Sequence, residues 1–150
     1  MMLARNTCAS EQEIYEAAFH EVAHCLVANA VGAHVFGASL HRDGGGGADL
    51  GNMHTAVADL RVTVAGYVAE SFLHGVTPTW EDMQQHEAYE LDCGAINDMV
   101  ENGAIRAEIA LPSAFRFAQY ILTQPKIIAR HIVLAKTLAR RRYLWGQMLR

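Results

Sequence analysis

His20, Glu21 and His24 stand in an H-E-x-x-H spacing within the stretch FHEVAHC, Phe19 to Cys25. On a helix, residues i and i+4 share a face, so both imidazoles reach one metal ion while the intervening glutamate points at a water on that ion. The chemistry such a set performs is metal-assisted hydrolysis, with the glutamate as general base. Three fixed positions also recur by chance, and the same residues then read as two surface histidines beside an acid. The spacing has meaning only if the segment is a helix.

The flanking residues predict that helix. Ser10 and Glu13 form an S-x-x-E capping box ahead of a run rich in Ala, Leu and Val, and Gly32 stands where such a run should end. Ala17, Ala18, Ala23 and Ala28 let neighbouring elements approach closely. After it, AHVFGASLHR reads as a strand, Asp43 to Gly47 as a glycine-rich turn, and ADLGNMH as the returning partner, giving one short β-hairpin. No Gly-Lys-Ser/Thr follows the glycines, which excludes a phosphate loop. One of the two strands is expected to offer an open edge to an extended peptide. His34, His41 and His54 read as polar residues of the hairpin and its flanks.

Thr55 to His74 returns to helical spacing, with Val57, Leu60, Val64, Val68 and Phe72 as an apolar stripe closed by Gly75 and Pro78. Glu70 lies at the margin of that stripe. A carboxylate there is exposed or paired, because burying it alone is costly, so Glu70 is a candidate ligand or partner of one. Trp80 to Tyr89 reads as a shorter acidic helix and Ala95 to Ala110 as another, preceded by Gly94. Pro112 is expected to start a new element, and Pro125 the last long helix, with Ile128, His131 or Ile132, Ala135 and Leu138 facing inward. The fold class is therefore mainly α with one short β-hairpin.

A chain of 150 residues has room for one core. Residues 1–9 read as an N-terminal extension and 10–150 as the domain. Cys8, Cys25 and Cys93 are odd in number, lack C-x-x-C spacing and follow no secretory signal, so reduced thiols in a cytoplasmic protein are expected. Cys25 and Cys93 read as packing residues rather than ligands. No apolar run reaches the ~20 residues of a membrane span. All 16 acids lie at or before Glu108, giving −12 up to that point and +8 over the rest. The late bases are spread over an apolar helical pattern with no aromatic platform, so a solvated helix face is expected and no nucleic-acid partner. The opposed charges also suit homo-oligomer formation, tail against acidic part.

A catalytic zinc site takes three protein ligands and keeps one position open. Val27 and Ala30 stand where an extended H-E-x-x-H-x-x-G-x-x-H pattern needs glycine and histidine, which excludes that class. Glu70, His86, Glu87, Glu90, Asp92 and Asp98 remain, and spacing does not choose among them.

From about Ser10 to Met148 the chain resembles the peptidase domain of the FtsH family of ATP-dependent zinc metalloproteases. FHEVAHCLVA is similar to that family's zinc helix, AGYVAESFLHG to its Gly-Gly-Arg-x-Ala-Glu-Glu helix, GAINDM to its Gly-Ala-x-Asn-Asp-Leu segment, and LAKTLARRRYLWGQM to its closing helix. Val22 and Ala23 replace the usual Ala-Gly, and the stretch after Asp98 is shorter. The resemblance implies an FtsH peptidase-like helical domain in which His20, His24 and Asp98 hold Zn2+, Glu21 is the general base, and Glu70 supports a ligand histidine from behind. It implies a zinc endopeptidase acting on a polypeptide substrate. The family's membrane anchor and ATPase module have no counterpart in these residues, so flexible or unfolded chains are the expected substrates unless a separate ATPase delivers others. The alternatives are a noncatalytic relative that binds metal and a polypeptide partner, and a helical interaction protein with a chance motif.

Overall fold

The computed structural model describes residues 8–150; most of the expected extension at 1–9 lies outside them. Helix α1, Glu11–Ala30, begins as its residues predict: Ser10 Oγ accepts from the Glu13 N–H at 3.2 Å and Glu13 accepts from the Ser10 N–H at 2.6 Å. Every residue from Val22 to Ala28 is buried. A helix apolar on all sides is stable only when surrounded, and α1 forms the centre of the domain.

Strands β1, Val35–Leu40, and β2, Gly46–Leu50, make the expected hairpin, pairing from Val35 with Leu50 to Leu40 with Gly46. A third strand was not expected. The segment read as the end of a closing helix leaves its helix at Arg142, which takes a left-handed φ of 68°, and runs on as β3, Tyr143–Trp145. β3 pairs antiparallel with β1, giving the order β2-β1-β3. Tyr143, Leu144 and Trp145 are the kinds of residue that favour a pleated, half-buried surface, and Leu144 is buried beneath it.

Thr55 to His74 forms two helices rather than one, α2, Ala56–Thr63, and α3, Ala65–His74, meeting at Val64. Thr63 Oγ1 donates to the Asp59 carbonyl at 2.8 Å, an i−4 contact that bends helices. Of the predicted stripe, Leu60, Val64 and Val68 are buried, whereas Val57 and Phe72 are exposed. The acidic segment gives a short α4, Trp80–Gln85, then a 3-10 turn at Glu87–Tyr89. Helix α5 covers Glu90–Glu101, starting earlier than expected and ending before Gly103, whose φ is 77°. Pro112 starts nothing: it lies inside α6, Ala107–Leu122. The helix carbonyl its ring leaves without a donor is that of Glu108, on the exposed side.

Helix α7, Pro125–Arg141, packs along the back of α1 with His131, Ala135 and Leu138 inward, and Ile128 and Ile132 outward. The His131 ring stacks on Phe19 at 3.6 Å between centroids, and its Nε2–H donates to the Phe19 carbonyl at 2.7 Å. Burial, opposed in part by that bond, lowers the His131 imidazolium to about 4. The unfolded chain takes up this proton near pH 6.5 and the folded chain only near 4, so the associated stability is complete above the first value and is lost as pH falls between them. About 2 kcal/mol should be gone by pH 5. Urea unfolding of metal-free protein at pH 7.5 and 5 should show that loss, and His131→Leu should remove it from the difference.

Candidate metal centre and cleft

The middle of α1 presents His20, Glu21 and His24 to a cleft of about 770 Å³. Its other walls are β2 with the glycine turn before it, α2, α3 and the start of α5. Glycine is required at two places here. Gly66 on α3 lies under the His20 ring, and a Cβ there would overlap three of its atoms. Gly46 on β2 faces Glu21, whose Cγ would lie 2.9 Å from an added Cβ.

Each histidine is oriented through its Nδ1. His24 donates Nδ1–H to the Val62 carbonyl at 2.7 Å, and His20 donates to Glu70 Oε1 at 2.8 Å. Tyr89 in turn donates its hydroxyl to Glu70 Oε2 at 2.6 Å. With both Nδ1 atoms protonated, each neutral imidazole has its lone pair on Nε2. The two Nε2 atoms are 2.9 Å apart, and Asp92 Oδ2 lies 3.3 Å from one and 3.5 Å from the other. Three acceptors converging in this way repel one another unless a metal cation or a proton stands among them. Ligand atoms around a tetrahedral zinc with bonds of about 2.0–2.2 Å are themselves separated by about 3.3–3.6 Å, so the donor set fits such an ion once the two rings part by a few tenths of an ångström.

The protonation behaviour follows from the same crowding. Burial, the largest single influence, opposes charge on His20, but the carboxylates of Asp92 and Glu70 with the charge of Glu21 outweigh it and push the imidazolium up to about 10. Burial likewise opposes the Asp92 anion, and the two imidazoles overcome it, holding the carboxyl well below its usual range. The centre strongly prefers to contain positive charge.

Among the described residues, His20, His24 and Asp92 form a group that can hold a metal ion. Asp98, the third ligand implied by the resemblance, is exposed and stands apart from that group. It is on the expected helix, α5, but six residues beyond Asp92, which turns it by about 240° to the outer side. Glu70 stands behind His20 rather than in the group. His86, Glu87 and Glu90 are exposed, His86 lying 3.4 Å from Asp82, and His34, His41 and His54 also face solvent. Cys25 points at the Gly37 carbonyl and Cys93 at that of Met83, and burial pushes the Cys25 thiol up to about 12. Such a thiol is inert packing.

Sequence reasoning missed the Val62 carbonyl, which no residue type announces, and Tyr89. It listed Asp92 without choosing it. No helix among the described residues is long and apolar enough to cross a membrane. No protein-family model matches the sequence, and neither does any curated protein.

Proposed function

We propose that this chain is a zinc-dependent endopeptidase, similar in plan to FtsH-type peptidase domains, that hydrolyses peptide bonds in flexible or unfolded polypeptides. The observation that carries the reading is the convergence of His20 Nε2, His24 Nε2 and Asp92 Oδ2 in an open cleft with Glu21 beside them. The sheet order supports it. β3 takes one side of β1, so β2 is the edge strand that lines the cleft, and its free backbone groups suit an extended chain adding as a further strand.

Zinc held by His20, His24 and Asp92 would supply Lewis acidity toward the scissile carbonyl and the attacking water. Everything else falls to side chains. Glu21 accepts a proton from the attacking water and returns it to the leaving amine. Glu70, held by Tyr89, keeps His20 in the tautomer that presents its Nε2 lone pair, and the Val62 carbonyl does the same for His24.

Protein purified without chelator should carry one zinc per chain and cleave unfolded casein, losing that activity when the metal is stripped. Glu21→Gln should retain the zinc and slow turnover by about 10²–10⁴-fold. Full proteolysis by that variant would remove Glu21 from its role. A zinc-loaded chain that leaves casein intact would favour a noncatalytic, polypeptide-binding protein.

A further inference from the structure

The cleft draws all its lining from residues up to Asp92, the acid-rich part of the chain. Among the described residues, its charged side chains apart from histidine are Glu13, Glu16, Glu21, Asp59, Glu70 and Asp92, with no lysine or arginine. The later, base-rich segments lie elsewhere: α7 packs behind α1, and Arg61, although on α2, has its guanidinium over the Phe117 ring at 4.1 Å. A bound divalent cation offsets only two of the six negative charges. A concave surface of one sign, with low-dielectric walls, concentrates ligands of the other sign.

The positions of these acids are specific. Glu13, Glu16, His20 and His24 are spaced by three or four residues on one face of α1, so the carboxylates lead away from the metal group along the cleft. At 1.5 Å per residue Glu16 and Glu13 lie about 9 and 14 Å along the axis from the midpoint between His20 and His24. An extended peptide covers about 3.3 Å per residue, which puts these acids about three and four residues from the bond over the metal for a chain running along α1. Glu13 caps the helix, and its bonds from Ser10 hold its carboxyl below the ordinary range. Asp59 is one turn before Val62, on the His24 side, where burial raises its carboxyl and a cationic neighbour would favour the anion.

We infer that the cleft selects polypeptide segments with Lys or Arg three or four residues from the scissile bond. The group of His20, His24 and Asp92 that can hold a metal locates the site; the acids decide what it accepts. The inference rests on the peptidase reading above, and its test separates the two.

Quenched fluorescent peptides of one length, unstructured and differing only in Lys, Ala or Glu at those positions, should be compared with zinc-loaded protein, the cut being located by mass spectrometry. The Lys peptide should exceed the Ala peptide by about five- to tenfold in kcat/KM, the scale of two part-exposed ion pairs, and the Glu peptide should fall below it. Raising the salt should narrow the gap. Glu16→Gln with Asp59→Asn should lower the Lys-to-Ala ratio. Cleavage of all three at equal rates would overturn the selectivity and leave the peptidase reading standing. Binding of the same peptides to zinc-loaded Glu21→Gln protein, read by fluorescence anisotropy, does not need turnover. Equal Kd for Lys and Glu peptides there overturns the inference even if the native chain cleaves nothing.

Discussion

Asp92→Ala protein purified without chelator is expected to contain no zinc, whereas Asp98→Ala protein retains one equivalent. Asp92 Oδ2 is the oxygen within 3.5 Å of both imidazole Nε2 atoms, and removing it leaves two neutral ligands. The loss should exceed the ~10 to 100-fold that removal of an outer partner commonly costs. Asp92 sits in the first turn of α5 at the cleft wall rather than in the core, so the fold should survive, and circular dichroism would check that. Asp98 is exposed and contributes no atom to the group. Metal retained by Asp92→Ala and lost by Asp98→Ala would reverse the assignment.

Gly66→Ala is the second variant with a large expected effect, although it touches no ligand chemically. Alanine has the better helix propensity by about 0.8–1.0 kcal/mol. Here its methyl would occupy the space of the His20 ring. The ring must swing away, which breaks the Nδ1–H bond to Glu70 and carries Nε2 out of the group. Overpacking of this kind costs about 1–3 kcal/mol, so the metal-free variant should be only modestly less stable by urea unfolding. Its zinc affinity should drop by more than about 100-fold, since ligand geometry rather than outer support is lost. Unchanged zinc affinity in a competition titration would show that His20 does not need its observed position.

Much of this arrangement was legible in the residues. The capping box at Ser10 and Glu13, the glycines at 32 and 75 and the hairpin turn are local signals, and the local structure follows them. Asp92 was not singled out, because the helix was read from Ala95 and left it outside. On a helical projection the buried Tyr89, Ile96 and Met99 define an inner arc; Asp92 falls within it and Asp98 opposite. The resemblance of GAINDM pointed to Asp98, on the same helix, whereas the group that can hold a metal takes Asp92. The close approach of Gly66 had a faint signal, a glycine inside an otherwise apolar helical run. The third strand had none that local pattern could separate from a fraying helix. Its existence depends on β1 offering an open side and on Arg142 accepting a left-handed conformation.

That third strand ties the order of folding to the competence of the cleft. Gly37 and Trp145 pair although roughly a hundred residues separate them, and Asn29 of α1 donates to the Leu149 carbonyl across a similar span. Contacts of such high sequence separation pay their loop-closure entropy before any reward arrives and form slowly. The wall β2 hangs on β1, and β1 is fastened on its other side only when residues 143–145 dock. A nascent chain thus gains the last support of its sheet, beyond what α1 gives β1 and β2, only when the segment far downstream docks on β1.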